Sequence, residues 1–219
     1  MNQTDNLIRR LAAGCVGTAS LPSPQRRMLS WFAASIPYVA LVVLVMSPRP
    51  DLFDKVMDTR FVIEQSGALL TALTAAMAAF CATIPGLPTW RLLLPLAPLA
   101  LWVGSLGQGC LSALFERGTA ALKLMPDLIC FPAILMVSLL PAILMITMLR
   151  RGAPLMPKIT VAYGALAATA LGNFGLRLFH PQDASLMVLV WQFGTVVILT
   201  AFASLFGRRL LRWRHVAAT

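Results

Sequence analysis

Charge is scarce in this chain of 219 residues. Only 12% of its residues are charged and 58% are hydrophobic, whereas a soluble domain averages about 25% charged residues. The apolar residues are concentrated in uncharged runs of about 20 residues, the length that a helix needs to cross a bilayer. The composition therefore excludes an ordinary soluble domain and indicates an all-α, polytopic membrane protein.

Common catalytic motifs are also missing. The sequence contains no Walker loop, no HExxH, no CxxC and no acidic pair in the middle of an apolar run. No segment between the apolar runs is long enough to fold a domain with its own core. We therefore expect no enzyme activity and no cofactor. Function must lie within the helix bundle or in short segments that bind a partner.

Six runs are long and apolar enough to form membrane helices. The clearest is LICFPAILMVSLLPAILMITML, which has no charge between residues 128 and 149 and ends at Arg150. The predicted spans are 28–47, 61–84, 91–110, 128–149, 159–179 and 184–206. The predicted organisation is a cytoplasmic segment 1–27, a six-helix membrane domain 28–206 and a basic cytoplasmic tail 207–219.

The net charge of +10 has an ordinary explanation in a membrane protein. Six spans put both termini on one side of the membrane, and the basic residues divide two to one in favour of that side. On the side of the termini are Arg9, Arg10, Arg26, Arg27, Arg91, Arg150, Arg151, Lys158, Arg208, Arg209, Arg212 and Arg214; on the other are Arg49, Lys55, Arg60, Arg117, Lys123 and Arg177. The positive-inside rule then predicts cytoplasmic termini, with basic loops held against anionic lipid and no direct contact with nucleic acid.

The N-terminal segment has the pattern of a short amphipathic helix. Its apolar residues fall on one face at helical spacing, and its arginines lie away from that face. Such a helix is suited to binding in a groove of a soluble partner. The candidate partner-binding residues are Asp5, Leu7, Ile8, Arg9, Arg10 and Leu11. The alternative is that the arginines lay this segment on anionic lipid.

Two cysteines are predicted at equal depth on the outer side. Cys110 lies 19 residues after Arg91, and Cys130 lies 20 residues before Arg150. At about 1.5 Å per residue, both are roughly 28–30 Å from the inner face. We expect the two helices to be antiparallel neighbours, which places the thiols close together at the outer face. They are then packing residues, a disulfide or redox-reactive pair, or, with His180, ligands of a soft metal ion.

Other polar residues within the spans leave two alternatives open. Glu64 and Arg177 either extend to the membrane surface or form an ion pair between the second and fifth spans. Gln108, Asn173 and Gln192 are expected to form hydrogen bonds between helices rather than a transport path.

Several pieces of the sequence together resemble a known family. They are DNLIRRLAA, LVMSPRPDL, DTRF with Glu64, PLAPLALW before Cys110, Cys130 with SLLPAILM, LRRGAPLMP, and WQFG followed by GRRLLRW. This order resembles the NrsF family of six-span bacterial inner-membrane proteins, which are anti-sigma factors for extracytoplasmic-function sigma factors. The resemblance implies an N-terminal segment that holds the sigma factor, and outward-facing cysteines, matched by Cys110 and Cys130, that sense toxic metal or oxidant.

The sequence departs from the family pattern at two positions. Where many relatives have His-Cys-Pro after the fifth span, this chain has Phe179-His180-Pro181, and Gln192 stands where relatives tend to have histidine. The pairing of Cys130 with a third cysteine is therefore not possible here, and the sensing chemistry is expected to differ.

These observations predict a membrane-bound anti-sigma factor whose partners are an extracytoplasmic-function sigma factor and the lipid bilayer. The candidate sensing residues are Cys110, Cys130 and His180. The alternatives are a small transporter or channel, a membrane thiol oxidoreductase, and a non-catalytic assembly subunit.

Overall fold

The computed structural model describes residues 3–13, 21–118, 129–152, 154–181 and 185–211. Within these ranges the chain is helical and has no β-strand, which confirms the all-α prediction. The helices are α1 (Gln3–Ala13), α2 (Pro24–Val45), α3 (Leu52–Met57), α4 (Thr59–Cys81), α5 (Leu96–Arg117), α6 (Cys130–Leu149), α7 (Pro157–Leu176), α8 (Ser185–Met187), α9 (Gly194–Leu205) and α10 (Gly207–Leu210). A 3₁₀ turn at Thr89–Leu93 precedes α5, and a π-helical turn at Val188–Phe193 joins α8 to α9.

Six of the helical segments in the described residues are long and apolar enough to cross a membrane. They correspond one to one with the six predicted spans. We call the end of the bundle where α2 begins the near end, and the end where α4 begins the far end. The short helix α3 lies at the far end between the first two spans and was not predicted.

The first span begins four residues earlier than predicted. Ser23 is the N-cap of α2 and its hydroxyl accepts from the backbone N–H of Arg26, while Pro24 occupies the first turn. Serine at the cap and proline just inside it are favourable for starting a helix. The helix that contains the first span therefore includes Arg26 and Arg27 in its first turn.

Helices α4 and α7 form the centre of the bundle. Each buries a face rich in alanine and glycine, and α7 packs against α4, α6 and α9. A Cβ added at Gly172 on α7 would collide with the Ser138 hydroxyl of α6, and one at Gly67 on α4 would lie 2.9 Å from Cβ of Trp102 on α5. These glycines allow the close helix approach that packing in a membrane depends on.

The expectation that α5 and α6 are packed neighbours is wrong. Helix α5 packs against α4 and α8, whereas α6 packs mainly against α7 and α2. In the described part of the chain, α5 and α6 form no extensive interface. Proximity of the cysteines on these two helices therefore does not follow from their order in the sequence.

The basic tail is partly integrated into the bundle. Helix α10 forms within it, and Leu211 is buried in the core. The Arg150 side chain donates to the carbonyl of Leu210 at 2.7 Å, which joins the end of the fourth span to the tail. The first residues of the tail therefore pack against the helix bundle.

Candidate functional site

Cys130 and His180 meet at the far end of the bundle. Cys130 is the first residue of α6, and its sulfur lies 3.6 Å from Nε2 of His180, which follows α7. The His180 N–H donates to the Leu176 carbonyl at 2.8 Å, so the turn that ends α7 fixes the position of the imidazole. A thiol and an imidazole at this distance are within hydrogen-bonding reach of each other, and both are ligands that soft metal ions prefer.

The Cys130 thiol is fully buried. Ala133, Ile134 and Leu176 form a small core cluster with it, and Phe179 and Trp191 pack against that cluster. A densely packed site has no room for a bound metal ion or added oxygen atoms without movement of its neighbours. Any chemistry at Cys130 is therefore coupled to displacement of the start of α6 or of the segment after α7.

Cys110 lies in a different environment. It is partly exposed on α5, next to Gly109, over which the guanidinium of Arg60 is placed. No disulfide joins the three cysteines that the structure describes. Within the same residues, no group of three or more His, Cys, Asp and Glu side chains is arranged to hold a metal ion. The structure thus brings together Cys130 and His180, and it does not assemble the three-residue metal site considered from the sequence.

A buried ion pair lies beside these residues. Nη2 of Arg177 is 2.8 Å from a carboxylate oxygen of Glu64, and both side chains are almost completely buried. Arg60 approaches the other oxygen at 3.1 Å from a position 40% exposed. Of the two alternatives drawn from the sequence, the ion pair between the second and fifth spans is the one observed. The Arg177 guanidinium also lies 5.1 Å from the ring centre of Phe61.

The loop after α2 is attached to the same end. Arg49 forms two hydrogen bonds with the Asp51 carboxylate, at 2.6 and 2.7 Å. Its backbone N–H donates to the Leu178 carbonyl at 3.1 Å. The connection between the first two spans is thereby joined to the end of α7, two residues before His180.

At the near end, Arg27 is buried rather than exposed to lipid headgroups. It donates to the Thr83 hydroxyl at 2.8 Å and to the Met148 carbonyl at 2.6 Å, and it lies 4.5 Å from the ring centre of Phe80. Arg27 had been counted among the basic residues that contact anionic lipid, and that assignment is wrong. The only sequence signal for the difference was the Ser23-Pro24 helix start, which places Arg27 one turn inside α2.

Two further side chains of α2 donate to the backbone of α6. The indole N–H of Trp31 donates to the Pro141 carbonyl at 2.9 Å, and the Tyr38 hydroxyl donates to the Met136 carbonyl at 2.7 Å. Together with Arg27, these bonds join α2 to α6 along most of its length. The two prolines in α6 were noted from the sequence, but these α2 donors were not.

Helix α1 is formed and buries none of its residues. All of its residues are exposed, including Leu7 at 56%, Ile8 at 58% and Leu11 at 63%. Asp5 lies in the first turn and Arg10 in the last, each at the end that the helix dipole favours for its charge. Arg9 is exposed as well. The partner-binding role of these residues remains a prediction.

Within the described ranges, the hydrogen bonds between helices expected of Asn173 and Gln192 are largely missing, and a different amide, Gln65, forms such a bond. The side-chain nitrogen of Gln65 donates to the Phe174 carbonyl at 3.2 Å, which joins α4 to α7. Neither polar atom of the fully buried Gln192 amide has a hydrogen-bond partner among the residues that the structure describes, and the same holds for Oδ1 of Asn173. Gln192 lies in the π-helical turn, where the helix is already locally distorted.

A comparison with protein families identifies the chain. A family model described as NrsF, negative regulator of sigma F, matches residues 11–213. The chain belongs to the NrsF family. This confirms the resemblance drawn from the sequence and identifies the chain as a member of a family of negative regulators of a sigma factor. No curated protein and no solved structure matches the chain.

The NrsF match covers the groups at the far end of the bundle but only the last residues of α1. It includes all six membrane helices and both far-end groups, Cys130 with His180 and Glu64 with Arg177. It begins at Leu11, so residues 3–10 of α1 lie outside it. The family match therefore does not support residues 3–10 as a partner-binding element, and the support for α1 comes from its own residues.

Proposed function

We propose that this chain is a membrane-bound anti-sigma factor of the extracytoplasmic-function class. It holds a sigma factor at the bacterial inner membrane through α1 and releases it when a signal reaches the far end of the bundle. Membership of the NrsF family supports negative regulation of a sigma factor by this chain. The extracytoplasmic-function class of the sigma factor, the bacterial inner membrane and the signal at the far end are further parts of the proposal.

The observation that carries the proposal is the exposed apolar face of α1. Leu7, Ile8 and Leu11 each have more than half of their surface exposed. Burial of a leucine or isoleucine side chain is worth about 1.5–3 kcal/mol, so a groove that covers all three gains substantial affinity. A helix of 11 residues is marginally stable alone in water, which favours a segment that becomes ordered on its partner.

The orientation of the bundle follows from its basic residues. In the proposal the near end faces the cytoplasm, because two thirds of the lysines and arginines lie on the side of the termini. The sigma factor then meets α1 in the cytoplasm, and the far end with Cys130 and His180 faces outward. The compartment outside the bacterial inner membrane is oxidising. A thiol oxidant or a soft metal ion in that compartment reaches an outward-facing group.

The signal is proposed to act at Cys130, with His180 as the group that positions or deprotonates the thiol. Reaction at this buried sulfur requires its neighbours to move, so chemistry and conformational change occur together. Helix α6 then connects the site directly to the near end, where its Met148 carbonyl is bonded to Arg27 of α2. Cys110 is the second sensing candidate, since it is the more exposed of the two thiols.

The test is capture of the sigma factor by the intact protein in detergent. We expect the double substitution Leu7→Asp and Leu11→Asp to abolish co-purification and to derepress a sigma-dependent reporter, because it places two charges in the buried face. The matched control is Asn6→Asp with Ala13→Asp. It adds the same charge at exposed positions about 100° or more away around the helix, and it should retain capture.

The competing explanation is that the arginines of α1 bind anionic lipid. Under that explanation, Arg9→Gln with Arg10→Gln releases the segment from vesicles and weakens regulation more than the leucine substitutions do. If the Leu7/Leu11 variant still captures the sigma factor and represses the reporter, α1 is not the binding element. If no variant of the chain, including wild type, captures a sigma factor, the proposed function fails as a whole.

A further inference from the structure

An open groove lies between α4 and α5, apart from the Cys130 and His180 pair. Its volume is about 580 Å³, within the range of small-molecule sites. Nearest the far end, the groove is lined by Thr59, Arg60, Gln108 and Ser112. This end is polar and includes a charged guanidinium.

The opposite end of the groove is apolar. It is formed by Ala100, Leu101 and Gly104 of α5 and by Ile63 of α4. From Ala100 to Ser112 the groove extends roughly 18 Å along α5, at about 1.5 Å per residue. One leaflet of the hydrocarbon core is about 15 Å deep. The groove therefore has the length and the polarity of a single leaflet, with its charged end toward the membrane surface.

The charged end carries a positive excess. Arg60 also lines a second cavity of about 180 Å³, whose charged residues are Lys55, Arg60 and Arg177 on the basic side and Asp58 and Glu64 on the acidic side. Three basic residues therefore line this cavity against two acidic ones, and Arg60 and Arg177 both contact Glu64. A phosphate group placed at Arg60 is electrostatically favoured, and a guanidinium can bind it with two hydrogen bonds.

Gln108 gives independent support for a polar occupant. It is exposed on a helix that is apolar enough to cross a membrane, and an amide that faces hydrocarbon without a hydrogen bond is costly. The ester carbonyls of a phospholipid lie just below its phosphate and accept hydrogen bonds from such an amide. Gln108 adjoins Gly109, over which the Arg60 guanidinium lies, so both groups are at the depth expected for these parts of one lipid.

We propose that this groove binds one phospholipid of the surrounding leaflet. Its phosphate lies at Arg60, its ester region at Gln108, and one acyl chain extends along Ala100, Leu101 and Gly104. Binding of this kind is stoichiometric and differs from the loosely held lipid around any membrane protein. The site includes neither the α1 segment nor the Cys130 and His180 pair.

The test is native mass spectrometry of the full chain, transferred from nanodiscs of phosphatidylglycerol and phosphatidylcholine into detergent. We expect wild type to retain one phospholipid per chain, and Gly104→Leu to lose it because the leucine fills the groove. Gly107→Leu is the matched control. A Cβ added at either glycine meets no atom within 4 Å, but only Gly104 lines the groove.

A second pair of variants tests the charged end. Arg60→Gln should reduce lipid retention, and Arg60→Lys should restore most of it, because a lysine still offers a positive charge to the phosphate. Circular dichroism and gel filtration check that each variant is folded. Equal lipid retention in wild type, Gly104→Leu and Gly107→Leu would overturn the proposal. A dimer of chains in place of the lipid, disrupted by Gly104→Leu alone, would also overturn it.

Discussion

At the scale of single residues, the Cys130 thiol has two properties that oppose each other. Its distance of 3.6 Å from His180 places a second soft-metal ligand beside the sulfur, and its complete burial limits access. A thiol of this kind reacts slowly until its surroundings open, and it then cannot return to the same packing while modified. These properties suit a switch better than a catalyst, which must turn over repeatedly.

We expect Cys130→Ser to abolish induction of a sigma-dependent reporter by cadmium ion or hydrogen peroxide, while basal repression is retained. Serine keeps the size of the side chain and removes the soft, oxidisable sulfur. The control is Cys81→Ser, a second buried cysteine located at the end of α4 near the opposite face of the bundle; it should respond like wild type. A normal response of Cys130→Ser together with loss in Cys110→Ser would assign sensing to Cys110 instead.

At the scale of helices, one buried ion pair joins the beginning of α4 to the end of α7. Removal of one partner of such a pair leaves an uncompensated charge and costs about 3–5 kcal/mol. We expect Glu64→Gln and Arg177→Met each to lower the free energy of unfolding by an amount of that order, measured by reversible unfolding in mixed micelles. Replacement of both residues, Glu64→Leu with Arg177→Met, should recover much of the loss because no charge remains buried.

Arg60 provides the internal comparison for this pair. Its side chain is 40% exposed, and exposed ion pairs contribute about 0–1 kcal/mol. Arg60→Gln should therefore have a small effect on unfolding although it removes a bond to the same carboxylate. Single substitutions at Glu64 and Arg177 with effects as small as that of Arg60→Gln would contradict the assigned role of the buried pair.

The sequence predicted the helices well and their contacts poorly. Uncharged length is a local property, so all six spans were recognised and most ends differ by a few residues. The beginning of α2 differs from the prediction because Ser23 and Pro24, which precede the apolar run, cap and start the helix. The neighbours of α5 were missed because they depend on non-local close approach, such as Gly67 against Trp102.

The candidate site was predictable to a similar degree. Cys130 and His180 were selected by residue type and depth, and the structure places them in contact. Cys110 was selected by the same argument but lies on a helix that has other neighbours. The role of Arg27 as a buried donor could not be derived from composition, because an arginine near a span end usually contacts lipid headgroups.

At the scale of the whole molecule, α6 extends from Cys130 at one end to the Met148 carbonyl at the other. Three side chains of α2 donate to its backbone, and α2 follows the segment that carries α1. A displacement of α6 therefore changes the surroundings of Arg27, Trp31 and Tyr38 together. Under the proposed function, this hydrogen-bonded pair of helices is the route by which an event at the far end reaches α1.

This route predicts that loss of single α2–α6 bonds weakens signalling without loss of sigma-factor capture. Tyr38→Phe removes the donor to Met136 and leaves the ring in place; one such bond is worth about 0.5–1.5 kcal/mol, or roughly a 2- to 10-fold change in an equilibrium. We expect a higher dose of cadmium ion to be needed for half-maximal reporter induction. Tyr163→Phe is the matched control. It removes a hydroxyl group whose hydrogen bond to the Leu92 carbonyl has the same length, 2.7 Å, and lies outside this route. If both variants shift the dose equally, the effect is general loosening of the bundle; a shift for Tyr38→Phe alone assigns transmission to the α2–α6 pair.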